Sequence, residues 1–160
     1  MKYYCSIALL LIVISAYSHQ TEDPGKKAVT ETVNKFFEAL AKKDTVLYKS
    51  IAFSNGQIWV TRNQQDSVKT QMRYIRDDFS YLPQMKESIE EKPLKMDIRL
   101  HGNIAIAWVP YTFSLGGKFS HCGIDVFTLL NTRDGWKIVS CVYSVEPEGC
   151  AAIKKENGID

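Results

Sequence analysis

His121 and Asp125 are the two residues of this chain best placed to do chemistry. Both fall on the middle strand of a long apolar stretch, Gly102 to Val145. Alternation along a strand puts them on one face. An imidazole and a carboxyl on a common apolar wall can move a proton, so Asp125 with His121 is the candidate catalytic set. Burying an unpaired carboxylate is expensive, so Asp125 must be paired, hydrogen-bonded or protonated. The mundane alternative has Asp125 tie down a backbone N–H, Ser144 or Arg99, with His121 at the rim of a hairpin. Cys122, Cys141 and Cys150 show neither a CxxC pair nor metal-ligand spacing. A Gly-rich phosphate loop is also lacking, so the sequence gives no reason to expect a metal or a cofactor.

The stretch that carries these residues reads as three strands joined at Gly116-Gly117 and Asp134-Gly135. Both dipeptides favour two-residue hairpin turns because they tolerate positive φ. Counting outward from the turns sets Asp125 opposite Trp108 and Ser144, His121 opposite Thr112, and Phe127 opposite Val142. One face then holds Ile104, Ile106, Trp108, His121, Asp125, Phe127, Ser140 and Val142. The other holds Val109, Tyr111, Phe113, Cys122, Val126, Cys141 and Tyr143. A one-residue slip would exchange faces. Both faces are apolar, and monomers rarely expose large apolar patches. The second face is therefore expected to form a symmetric homodimer through Val109, Tyr111, Val126 and Tyr143.

Upstream, Val29, Val33, Phe36, Phe37 and Leu40 recur at helical spacing and predict a helix over Lys26–Lys43. Asp44 caps a short helix, Thr45–Ser50. Ala52–Arg62 reads as a hairpin turning at Ser54-Asn55-Gly56. A third helix is expected from Asp66 or Ser67 to about Leu82, on the spacing of Val68, Met72, Ile75 and Phe79. Glu87–Leu100 reads as a strand interrupted near Pro93. Helices followed by a long antiparallel sheet make an α+β pattern.

The chain has 160 residues, 45% hydrophobic and 24% charged, with a formal net charge of +2. That charge is too small to argue for a nucleic-acid partner or an anionic membrane. Residues 1–18 read as a signal peptide: Lys2, an apolar run at Ile7–Ile14, then Ala16-Tyr17-Ser18 with cleavage near Ser18. The mature protein is expected to be exported, soluble and off the membrane. Residues 19–146 form the one domain, and 147–160 read as a polar tail. If a disulfide forms, Cys122–Cys150 is the first choice, since the register sets Cys122 opposite Pro147 and leaves Cys141 far along the strand.

The segments VNKFFEALAKKD and DVFTLLNTRDGWKIVS make the chain resemble the nuclear transport factor 2-like superfamily, over roughly Lys26 to Val145. Within it the chain is similar to small exported bacterial members, some labelled putative lumazine-binding. The resemblance implies a cystatin-like α+β roll: a cone-shaped, strongly curved antiparallel sheet wrapped around the N-terminal helix, with two further helices. It also implies a pocket at the cone's open end and frequent dimerisation through the outer sheet face. Phe36, Phe37, Trp59, Tyr74, Trp108, Asp125, Phe127 and Ser140 are the expected ligand-binding set, suited to a small apolar or aromatic molecule. A SnoaL-like isomerase or lyase using Asp125 and His121 is the second reading, and a dimeric interaction module without a ligand is the third. Ketosteroid isomerase resemblance would place a proton-shuttling aspartate near Ser54-Asn55. No carboxylate lies between Asp44 and Asp66, which argues against an enzyme of that kind.

Overall fold

The computed structural model describes residues 23–64 and 67–159, and the expected signal peptide lies outside them. Helix α1 runs Pro24–Lys42. Pro24 suits the first turn, and the Asp23 carboxylate accepts from Gly25 N at 2.8 Å. Val29, Val33, Phe36, Phe37 and Leu40 are buried along one stripe, as their spacing requires. Lys43 ends the helix in the left-handed conformation, φ 53°. Asp44 then caps α2, Thr45–Ile51, accepting from Val46 N and Leu47 N at 2.9 Å each.

Strands β1 (Ala52–Gln64), β2 (Ser67–Tyr74), β3 (Ile89–Pro93), β4 (Asp97–His101), β5 (Ile104–Leu115), β6 (Lys118–Thr132) and β7 (Gly135–Val145) form one curved sheet. Its order is β2-β1-β7-β6-β5-β3, and β4 continues along the same edge of β5 as β3. Neighbours are antiparallel except β1 and β7, which run parallel. Helix α3, Ile75–Tyr81, follows β2 and leads into a short 3-10 turn at Leu82–Gln84. The sheet packs α1 and α2 on its concave side, where Phe36, Phe37 and Phe127 meet edge to face at 5.0 to 5.9 Å.

Three expectations need correction. Ala52–Arg62 does not reverse at Ser54-Asn55-Gly56. The register against β7 instead jumps from Ala52↔Ile138 to Gln57↔Ser140, so those turn residues make a bulge inside one strand. Residues 67–74 form β2 rather than the start of a helix, because β2 pairs antiparallel with β1 from Gln64↔Ser67 to Gln57↔Tyr74. Val68 and Met72 also share a face at strand spacing, and tertiary pairing overrides the helical reading. The 147–160 segment, read as a tail, carries helix α4, Cys150–Glu156. Among the described residues that makes three helices besides α1 rather than two.

Helix α4 lies on the outer face of the sheet. Ile153 is buried there, Trp108 Nε1 donates to Asn157 Oδ1 at 2.9 Å, and a disulfide joins Cys150 to Cys122 on β6. Cys122 pairs with Glu146 rather than Pro147, one residue from the expected register. Among the described residues Cys141 is the free thiol, and no helix is long and apolar enough to cross a membrane.

Candidate functional site

The register of β6 decides which side chains face the cone. The first turn is where it was expected: Gly116 and Gly117 both have positive φ, and Leu115 pairs with Lys118. Two residues on, Ser114 pairs with Phe119 but Phe113 pairs with His121. Ser120 is thus an extra residue, and everything beyond shifts by one. Asp125 faces Val109, not Trp108, and Phe127 faces Ala107. The second turn lies one residue earlier than expected, Thr132 pairing with Gly135, and Val139 is extra on β7. Asp125 therefore faces Tyr143 and Phe127 faces Cys141.

The inner face follows from these slips. His121, Asp125 and Phe127 of β6 point inward, as expected. On β5 the inward set is Val109, Tyr111 and Phe113, and on β7 it is Ile138, Cys141 and Tyr143. Trp108, Ser140 and Val142 go to the outer face. Trp108 is 45% exposed, and Ser140 pairs between Gln57 and Thr128. Val109 and Tyr111 are wholly buried inside, so they cannot serve the outer dimer surface assigned to them, and Tyr143 lines the cavity. The exposed outer apolar residues are Ile104, Ile106, Trp108, Leu130 and Val142 instead.

A cavity of about 720 Å³ opens in the cone. Phe36, Leu40, Ile58, Leu82, Met85, Ile89 and Phe113 supply its apolar wall. Its polar groups are Arg62, Arg73, Asp77, Asp78, Glu91, Tyr111, Ser120, His121, Asp125 and Tyr143, with the Cys141 thiol. Of the expected ligand-binding set, Phe36 and Asp125 line it. Phe37 and Phe127 sit in the core behind Phe36. Trp59, 40% exposed, donates to its own strand's Gln57, and Tyr74 lies under the Arg76 guanidinium at 4.1 Å, both away from the cavity.

Asp125 is 1% exposed, and its Oδ2 has no hydrogen-bond partner, the one such buried side-chain atom among the described residues. Its Oδ1 meets the Cys141 Sγ at 3.9 Å, a weak contact. Burial pushes the Asp125 carboxyl well above the usual carboxylate range, and the charge of Glu91 pushes it the same way. Burial likewise raises Glu91 to about 7, against the pull of Arg73. Arg73 itself is engaged: its Nε donates to Asp78 Oδ1 at 2.7 Å and its Nη1 to Tyr143 Oη at 3.4 Å. Tyr48 Oη donates to Asp78 Oδ2 at 3.3 Å. Tyr111 passes over Gly123 and donates to the Ser144 carbonyl at 2.7 Å.

His121 is further out. It stacks on Phe113 at 4.8 Å, and its Nδ1 lies 3.0 Å from Ser120 Oγ. Burial and then the Arg62 charge lower its pKa. His121 and Asp125 share the cavity but not a hydrogen bond, since four residues of strand span ~13 Å. Glu91 and Arg73 went unnoticed in the sequence, and Tyr143 was assigned to the outer face instead. Glu91 lies two residues after the buried Ile89 on β3, on the same face, which marks it as inward-facing. Arg73 was hidden by the helical reading of its segment.

The raised carboxyls make stability depend on pH. Between about pH 4 and 7 the folded protein holds protons on Glu91 and Asp125 that the unfolded chain has released, so stability falls as pH rises through that window. His121 acts with the opposite sign, so the test is a difference. Melting temperatures from pH 5 to 8 at fixed ionic strength should fall less steeply in Glu91→Gln than in the parent. Parallel curves would mean that Glu91 ionises as readily folded as unfolded.

A cone of this kind has many structural relatives. An NTF2-like protein from Cytophaga hutchinsonii superposes with a TM-score of 0.64 at 9% identity, covering 75% of this chain and 97% of that one. A nuclear transport factor 2-like superfamily protein from Salmonella enterica serovar Typhimurium gives 0.60 at 18% identity, over 76% and 91%. A putative ketosteroid isomerase from Shewanella frigidimarina gives 0.54 at 19% identity, over 76% and 98%. At such identities the likeness speaks for the fold alone. No curated protein matches the chain in sequence. A family model described as "Putative lumazine-binding" matches residues 24–144, and on that match the chain belongs to this family, with the fold of nuclear transport factor 2-like proteins.

Proposed function

We propose that this is an exported binding protein that takes a small, flat, partly aromatic molecule into the cone. The observation that carries this reading is the unpartnered Asp125 Oδ2 beside a cavity of about 720 Å³. An empty apolar void would give a core no reason to keep a carboxyl there, whereas binding sites pair apolar walls with a few polar anchors. Lumazine, a bicyclic heteroaromatic, has the shape and size for such a site, and the family's name supports testing it first. Titration of the protein with lumazine, followed by the ligand's own fluorescence, should saturate at one site per chain. Phe36→Trp, which fills the cavity from α1, should weaken binding about tenfold or more, as overpacking of a formed pocket does. An unchanged titration in that variant would place the ligand elsewhere.

Export is part of the same reading. The charged, apolar and small-residue pattern at the N-terminus supports it, and so does the Cys122–Cys150 disulfide, which belongs in an oxidising compartment. A homodimer through the outer sheet face is supported by the exposed Ile104, Ile106, Trp108 and Val142. Helix α4 already covers part of that face, which narrows the surface left for a second copy. The isomerase or lyase reading gains less, because the strand separates His121 from Asp125.

A further inference from the structure

The polar groups around Asp125 are unequal in kind. None of the donors near it reaches Oδ2: Tyr111 Oη is engaged on the Ser144 carbonyl, Arg73 Nε and Tyr48 Oη on Asp78, the Cys141 thiol contacts Oδ1, and Tyr143 Oη accepts from Arg73. Asp125 Oδ2 has no partner, and the side chain of Glu91, which also lines the cavity, makes no hydrogen bond or ion pair among the described residues. A carboxylate accepts only, and its two oxygens match two parallel N–H groups in one plane. A ligand that pairs with the ionised carboxylates at this end of the cavity must therefore bring the hydrogens.

We propose that Asp125, assisted by Glu91, reads the ligand's edge and selects an N–C–N edge carrying two N–H donors, as in a 2-amino-4-oxopteridine, over the 2,4-dioxo edge of lumazine. The inference rests on the reading of the cavity as a ligand site. The two rings are nearly the same size, so apolar contacts do not tell them apart. The exocyclic atom at position 2 does: an amino group there donates to a carboxylate, while a carbonyl sets one acceptor against another. Leaving a buried acceptor facing an acceptor is what makes polar sites selective.

The proton inventory follows from the groups that face the pair: Tyr111 from β5, Cys141 and Tyr143 from β7, Arg73 from β2 and Asp78 from α3. Of these only Arg73 carries a positive charge, and Asp78 holds it. A donor edge is thus the partner that lets Asp125 and Glu91 ionise.

Pterin and lumazine, both fluorescent, are the probes, titrated in parallel at pH 7. Pterin should bind about tenfold more tightly or better. Asp125→Asn, whose amide both donates and accepts, should bring the two affinities within about threefold. Glu91→Gln, at a half-buried position, should shrink the preference in the same direction and guards against a folding defect in the first variant. At pH 5, with the carboxyls protonated, the preference should also shrink. Lumazine binding as tightly as pterin, or a preference untouched by both variants and by pH, overturns the inference and leaves the binding site standing. Failure of both probes to bind at millimolar concentration overturns the inference together with the reading beneath it.

Discussion

Gly123→Ala is expected to destabilise the protein more than any other single methyl group added to it. A Cβ at this position would lie 2.0 Å from the Ser144 carbonyl oxygen and 2.8 Å from Tyr111 Cε1. The first of these is backbone of the neighbouring strand, held by the β6–β7 ladder, so it cannot step aside. Strand β6 would have to move away from β7, and the Tyr111–Ser144 hydrogen bond of 2.7 Å would open with it. A loss of about 4 kcal/mol is expected, from overpacking joined to a broken buried hydrogen bond. That is a large part of the ~5–15 kcal/mol typical of a domain. Urea unfolding monitored by tryptophan fluorescence measures it. Gly123→Ala with Tyr111→Ala should remain as unstable, because the nearer clash is with backbone. Recovery in the double variant would show the ring, not the strand, to be the obstacle.

Phe127→Ala should cost nearly as much by the opposite route. Phe127 is wholly buried, with Phe36 at 5.0 Å and Phe37 at 5.9 Å, and Phe36 in turn meets Tyr48 at 5.4 Å. Removing the ring empties the centre of this cluster. Large-to-small changes of this kind cost about 3–5 kcal/mol through lost transfer energy and the void left behind. Because Phe36 also lines the cavity, its freed ring can tilt into the vacancy and reshape the cavity wall. Phe127→Leu should retain more than half of the lost stability while keeping the wall in place. Equal destabilisation by Ala and Leu would show that ring geometry, not volume, holds α1 to the sheet.

Much of this architecture could be read from residue types, and the side chains misplaced on β5 and β7 share one cause. Helix α1 was legible because its apolar stripe repeats at helical spacing, although it begins at Pro24, two residues before the expected Lys26. The hairpin at Gly116-Gly117 was legible from its backbone demand. What the sequence did not reveal was a set of strand irregularities: single extra residues at Ser120 on β6 and Val139 on β7, and a four-residue bulge, Phe53–Gly56, on β1. Ser120 and Val139 are not distinctive residue types, yet each exchanges the two faces of a strand; Ser54-Asn55-Gly56 is distinctive but marks a bulge rather than a turn. Asp125 and His121 were still placed inward, since both follow Ser120 on β6. Trp108, Ser140 and Val142 lay across a slip from them, and so went to the wrong side. Trp59 and Tyr74 failed for a different reason: a large aromatic side chain is as much at home on an outer sheet face as in a pocket.

The parallel pair of β1 and β7 bears on when the chain can fold. Strand β7 sits between β1 and β6, so the last strand made is the one that joins the two halves of the sheet. Until it arrives, β1 and β2 are an isolated two-stranded ribbon, which is marginal in water. The contacts that close the sheet are among the most distant along the chain, and distant contacts make slow folding. A nascent chain built this way stays open until synthesis is nearly complete. On the export reading proposed above, the chain would cross a membrane as such an unfolded thread, and the closing disulfide from Cys150, beyond β7, would form on the far side.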